Sequence, residues 1–199
     1  MVIIYAIIDT DLRDSLFLTF RGDKANKQYL CFGGYAMSII IREYIKNDIG
    51  QMVEIWNEVV NAGIAFPQID ELLEADAINF FSEQSFTGVA ENVDTHEILG
   101  LYILHPNNIG RCGHISNASY AVKSTARGLH IGEKLVIHSM EKGKELEYKI
   151  LQFNAVVKTN YSAIHLYEKL GFIKLGVIPN GFLMKDGTYE DIIPFYRTL

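Results

Sequence analysis

Cysteine is nearly missing from this chain: Cys31 and Cys112 are the only two in 199 residues. Two are too few for a disulfide framework, and they lack metal-type spacing. The expectation is a pair of buried free thiols in a reducing compartment. Proline is scarce as well, at 4 residues, while hydrophobic residues make up 49%. That balance excludes a disordered chain and fits a packed globule. Basic residues are outnumbered, 18 against 24 acidic ones, for a net charge of -6. Nucleic acid is therefore not an expected partner, because phosphate contacts need clustered Lys and Arg. No apolar run reaches the roughly 18 residues of a membrane span. Met1–Ile8 is apolar, but it has no basic residues ahead of it and soon meets Asp9, unlike a secretory leader. A soluble, cytoplasmic protein with no membrane partner is expected. Catalytic signatures are missing too. There is no Gly-Lys-Ser/Thr of a Walker loop and no Gly-x-Gly-x-x-Gly. The histidines (His96, His105, His114, His130, His138 and His165) show no His-x-x-x-His spacing, so no metal is expected.

What is present is a chain long enough for one domain with a sizeable core. Residues 1–36 read as short strands at Val2–Ile8, Ser15–Arg21 and Tyr29–Phe32, closed by Gly33-Gly34. They form an N-terminal β extension ahead of a domain over 37–199. The extension is expected to cover a sheet edge, with a homodimer contact as the alternative. Ser38–Tyr44 is an isoleucine-rich strand. Asp48 is a candidate N-cap for a helix to about Asn61, whose Ile49, Met52, Val53, Trp56, Val59 and Val60 share one face. Gly63 follows as its stop, and a second helix is expected from about Asp70 to Phe81. Phe86–Asn92 and Glu97–His105 form a hairpin around Asp94-Thr95. Arg111–Val122 is the long central strand. A helix from Gly128, with Leu135, Val136, Ser139 and Met140 inward, leads to a strand at Lys149–Val157, a right-handed parallel crossover. Ser162–Leu170 is a short helix stopped by Gly171. Phe172–Ile178 and Thr188–Tyr196 close an α/β (α+β) sheet, with a turn at Lys185-Asp186-Gly187.

The stretch from Arg127 to Leu135 lies between a strand and a helix start. The first N–H groups of a helix have no partner within it, and its dipole favours negative charge there. Gly128 and Gly132 let the backbone approach a ligand closely. Lys123, Arg127 and Lys134 could add a local basic rim.

Two motifs then fall in order. Arg127-Gly128-Leu129-His130-Ile131-Gly132 fits Arg/Gln-x-x-Gly-x-Gly/Ala, except that His130 replaces the first glycine. Asn160 to Phe172 fits Asn-x-x-Ala-x-x-Leu-Tyr-x-Lys-x-Gly-Phe. With these the chain resembles the GCN5-related N-acetyltransferases (GNAT). The resemblance implies the GNAT fold, a mixed sheet with splayed parallel central strands flanked by helices. It implies acetyl-CoA as co-substrate and a small-molecule amine as acceptor. Leu129, Ile131 and Glu133 join Arg127, Gly128, His130 and Gly132 in the pyrophosphate loop it implies. Tyr120-Ala121-Val122 is the segment that would pair with the pantetheine arm, and one of its N–H groups would hold the developing oxyanion. Tyr167 matches the tyrosine that protonates the leaving thiolate. Asn160, two turns earlier along the same helical face, would point at the same ligand.

A narrower likeness, to yeast N-acetyltransferases of proline analogues such as azetidine-2-carboxylate, rests on five stretches. They are Arg111–Ala118, Phe153-Asn154, Thr159-Asn160, Phe66-Pro67-Gln68 and Tyr102–Asn107. It implies that Asn117, Asn154 and Asn160 hold an amino-acid-like acceptor. Tyr167 departs from that group, which can carry tryptophan there. For the general base the sequence offers Glu91, Glu97 and His114 without choosing among them. The alternatives to acetyl transfer onto a small amine are a non-catalytic CoA-binding module and a protein N-acetyltransferase.

Overall fold

A computed structural model describes residues 28–32 and 35–199, with side chains from Met37 onward. The strands expected at Val2–Ile8 and Ser15–Arg21 lie outside the described residues. Alternating apolar runs give β1 (Gln28–Phe32), β2 (Tyr35–Glu43), β3 (Phe86–Asn92), β4 (Glu97–Pro106), β5 (Ile115–Val122) and β6 (Ile150–Val157). They continue as β7 (Ile173–Lys174), β8 (Ile178–Leu183) and β9 (Tyr189–Thr198). The sheet order is β1-β2-β3-β4-β5-β6-β9-β7, with β8 also paired to β9. Every pairing is antiparallel except β5 with β6. The boundary expected at residue 37 falls inside β2, and β1 is the outermost strand of this same sheet among the described residues.

Among the described residues four α-helices cover the two faces. One face carries α1 (Ile49–Ala62) and α2 (Glu74–Ser82). Met52, Trp56 and Phe81 bury there against Leu101, Ile103 and Ala121. The other carries α3 (Ile131–Glu145) and α4 (Tyr161–Lys169), whose Leu135, Val136, Leu166 and Tyr167 meet Tyr120, Leu151 and Phe153. The helical spacing read in α1 is the buried stripe, with Ile55 joining it and Val53 only half-buried at its margin. Gly63 closes α1 in the left-handed conformation at φ 63°.

Local chemistry shifted several boundaries. The second helix begins at Glu74, not Asp70, because Leu72 is tied to α1 by paired bonds with the Asn57 carboxamide. Asp48 precedes α1 but does not cap it. Its carboxylate accepts from Ile45 N–H at 2.8 Å and is bridged by the Arg42 guanidinium. The central strand starts at Ile115, since Gly110–Cys112 is a short 3-10 turn. That turn leaves Cys112 exposed, contrary to the buried thiol expected. The segment 172–178 yields only the two-residue β7, and β8 is an added strand.

Candidate active site

β4 and β5 are zipped over seven residue pairs, from Gly100↔Val122 to Pro106↔Ser116. β5 and β6 pair only at Ile115↔Ile150 and Ser116↔Leu151, although both strands run on. The cause lies in β6. Between Phe153 and Val156 it spends three steps against the two that β9 takes from Phe195 to Ile193. Such a bulge bends its strand and raises the local twist. It also puts Ala155 and Val157 on the α1–α2 face, while Phe153 and Val156 face α3 and α4. The two parallel strands therefore part beyond Ser116 and leave a wedge.

Strand alternation fixes which backbone groups line that wedge. Ile115 C=O accepts from Asn107 and Lys123 N–H donates to Leu99, both on the β4 side. His114 C=O accepts from Lys149 on the β6 side. Even-numbered residues therefore present their N–H and C=O to the wedge: Ala118, Tyr120 and Val122. Ala121 turns its backbone to β4. Of the expected segment Tyr120-Ala121-Val122, the outer two are the ones with free reach.

Beyond β5, Ser124–Ala126 makes a 3-10 turn, and the helix begins at Ile131, not at Gly128. Gly128, at φ 79°, needs the freedom of glycine. His130 adopts φ 54° and ψ 24°, left-handed geometry that is uncommon for a residue with a Cβ. The chain thus keeps a glycine-like contour at the position where the sequence departs from the motif. Arg127, Gly128 and His130 are exposed, Leu129 is half-buried and Gly132 is buried. Ile131 packs beneath the first turn. Gly100 lets this end of α3 sit close to β4, since a Cβ there would meet Ala121 O at 2.9 Å and Ile131 Cγ2 at 3.1 Å. Glu133 in the first turn is bridged to Lys169 of α4 at 2.7 Å. Burial lowers the pKa of Lys134.

Tyr167 is fully enclosed, with its ring 4.4 Å from Phe153, 5.5 Å from Phe172 and 5.7 Å from Phe195, centre to centre. Its hydroxyl has no hydrogen-bond partner among the described residues, and burial pushes its pKa well up. Burial of this kind favours the neutral phenol. Tyr120, also buried, differs: its hydroxyl meets Ser139 Oγ at 2.6 Å, and that serine donates to Val136 C=O. Asn160 caps α4, its side-chain oxygen accepting from Ala163 N–H at 3.2 Å, so it serves the helix directly.

On the opposite face lie Asn117 and Ser119, which share the orientation of Ala121 along β5. His105 of β4, the register partner of Asn117, follows Leu101 and Ile103 onto the same face. Asn154 donates to Asn107 Oδ1 at 2.6 Å and accepts from Gln152 at 2.9 Å. The buried atoms His105 Nε2, Ser119 Oγ and Gln68 Oε1 have no partner among the described residues. None was expected as a site residue. Alternation along β4 was the signal that marked His105, the next inward position after Ile103.

The base candidates lie elsewhere. Glu91 is buried in an ion pair with Arg42 and bonded to His96 Nδ1 at 2.6 Å. Burial alone would raise its pKa, but Arg42 and His96 outweigh that and hold it low. Glu97 is bridged to Lys123, and His114 is exposed. Among the described residues no group of three or more His, Cys, Asp or Glu could hold a metal ion. None of their helices is long and apolar enough to cross a membrane.

Comparison with known proteins bears on this arrangement. The model of the Acetyltransferase (GNAT) family matches residues 52–172. The N-acetyltransferase aca1 of Schizosaccharomyces pombe is 28% identical over 144 residues, 65% of this chain and 69% of that protein. A GCN5-related N-acetyltransferase from Kribbella flavida superposes with a TM-score of 0.75 at 28% identity, over 81% of this chain and 98% of that one. A phosphinothricin acetyltransferase from Sinorhizobium meliloti, solved in complex with AcCoA, has the same fold. It gives a TM-score of 0.73 at 21% identity, covering 81% and 88% of the two chains.

Proposed function

This chain belongs to the acetyltransferase (GNAT) family, and on that premise we propose that it moves the acetyl group of acetyl-CoA onto the amine of a small molecule. Family membership makes it an N-acetyltransferase. The donor site, the acceptor and the residue roles are our reading.

The observation that carries the reading is the wedge. Ala118, Tyr120 and Val122 offer unpaired backbone to an extended amide-bearing chain, as a neighbouring strand would. A pantetheine arm has that chemistry. At the mouth, the N–H groups opening α3, with Gly128, His130, Ile131, Gly132 and Glu133 around them, suit a pyrophosphate. The exposed Arg127 adds charge there, and Leu129 packs its loop onto the core. Toward the apex, Tyr120 N–H is the donor for a carbonyl oxygen that gains negative charge during transfer. Tyr167 gives its proton to the departing thiolate, since no acceptor among the described residues competes for that hydroxyl.

The acceptor belongs on the α1–α2 face, beside Asn117 and the Asn107–Asn154–Gln152 chain. Carboxamides donate and accept, which suits an amine and a carboxylate together. The burial of Asn117, with the other three half-buried, favours a small amine, an amino acid or analogue, over a protein segment. We place the enzyme in the cytoplasm, where an exposed thiol such as Cys112 stays reduced.

A thiol-release screen across amino acids, cyclic amines, aminoglycosides and polyamines tests the reading. Turnover with one class, lost in Tyr167→Phe while acetyl-CoA still binds, is the expected result. No release from any amine would sink it.

A further inference from the structure

The transfer proposed above lacks a base, because Glu91 and Glu97 are engaged in ion pairs and His114 is exposed. An ammonium acceptor must lose a proton before it can attack. The α1–α2 face of the wedge holds one titratable group whose geometry suits that work.

His105 is 9% exposed. Its Nδ1 lies 3.0 Å from the Pro106 carbonyl oxygen. A carbonyl only accepts, so Nδ1 carries the hydrogen and Nε2 keeps its lone pair. Nε2 is buried with no partner among the described residues. Leaving such an acceptor unmet costs stability. A fold retains that cost where something outside the protein supplies the donor. The ring stands one strand from the apex: His105 pairs with Asn117, the first β5 residue beyond the last β5–β6 pair. Ser119 Oγ, two positions along the same face, and Gln68 Oε1, from the α1–α2 loop, are unmet in the same way. Three orphaned polar atoms in one layer of the fold mark a place for a small polar group.

We propose that His105 Nε2 is the proton acceptor for the acceptor ammonium, with Ser119 and Asn117 beside it orienting the nitrogen. This rests on the acetyl-transfer reading. Nε2 takes the first ammonium proton and passes it to solvent. The freed lone pair forms the N–C bond to the acetyl carbonyl carbon as the C–S bond breaks. The thiolate takes the Tyr167 proton, and the second proton lost by nitrogen restores that phenol. The acid and the base thus work from opposite faces of the sheet, across the wedge. Burial lowers the pKa of His105, so the ring is neutral, and basic, at neutral pH. Its register partner Asn117 and Ser119 on the same face are uncharged, and among the described residues no carboxylate shifts it.

The test uses the full-length protein, with ethylamine and azetidine-2-carboxylate as acceptor probes in a thiol-release assay. We expect His105→Gln to lose about 10²- to 10⁴-fold in kcat, the usual worth of a general base. Acetyl-CoA affinity by calorimetry and melting temperature should stay near wild type. The acid limb of the wild-type pH–rate profile should vanish in the variant. Free imidazole should restore part of the rate to His105→Ala, which a merely structural histidine would not allow. A variant with the wild-type rate and acid limb overturns the proposal. Should His105→Gln not fold, long-range proton–nitrogen spectra of histidine-labelled wild type decide. A neutral ring protonated at Nδ1, with Nε2 shifted by either probe, supports the role. A ring protonated at Nε2, or unmoved by both probes, overturns it. Wild type that releases no thiol with any amine condemns the acetyl-transfer reading itself, and the spectra then judge the histidine separately.

Discussion

Two seams border β5, and they are opposites. Against β4 the strand is paired along its whole length, and the side chains across that seam are core. Against β6 it is paired at two positions and then released. Both sides of one strand have the same composition, so residue type does not explain the difference. The partner does. β4 stays in register with β5 throughout, whereas β6 bulges between Phe153 and Val156. The seam that closes holds the domain together, and the seam that fails to close is where we place the chemistry.

The sharpest way to break this contrast is a pair of proline substitutions one residue apart. Ala121→Pro removes an N–H aimed at β4 and puts a ring into a central seam, so it should abolish folding, read as loss of soluble, cooperatively melting protein. Val122→Pro removes an N–H aimed at the wedge. It should leave a folded protein whose acetyl-CoA affinity falls measurably in calorimetry. If both behave alike, the assignment of backbone directions is wrong.

The two buried tyrosines sharpen the same point. Tyr167→Phe deletes a hydroxyl with no partner among the described residues. It should cost about 10²- to 10⁴-fold in turnover while the melting temperature holds or rises. Tyr120→Phe deletes one bonded to Ser139 and should cost roughly 1 kcal/mol of stability with turnover kept. Chemical denaturation beside thiol release reads both.

Away from the wedge, Arg42 bridges Asp48 and Glu91. Burial works to raise Asp48, but Arg42 and the Ile45 N–H prevail and lower it, and Glu91 is likewise low. A carboxylate depressed by folding stabilises the native state above its unfolded pKa, near 4. That stabilisation is lost as pH falls through the lower folded value. Stability should therefore decline below about pH 5, and Glu91→Gln should flatten the decline. The smallest effect is expected at His130. His130→Gly relieves a left-handed residue and should shift stability by about 1 kcal/mol or less, with donor affinity retained.

The sequence revealed the architecture because its signals were local. The stripe on α1, the β3–β4 hairpin and the Gly171 stop are each set within a dozen residues. The two motifs likewise pointed to the region that forms the wedge. Other features depended on distant partners. Asp48 looked like a cap until Arg42 claimed it, and the cap that Asn160 makes to Ala163 N–H shows only once α4 has formed. Cys112 looked buried because nothing in its neighbours announces a 3-10 turn. His105 was visible only once β4 had a face, which required knowing that Leu101 and Ile103 are core.

The irregularity in β6 carries one more implication. Ala155 is the surplus unit: without it Phe153, Asn154, Val156 and Val157 would still alternate correctly between the two layers. A single-codon deletion there should yield a protein that melts higher and no longer takes up its donor. In this lineage the distance between an enzyme and an inert, better-knit scaffold is one amino acid.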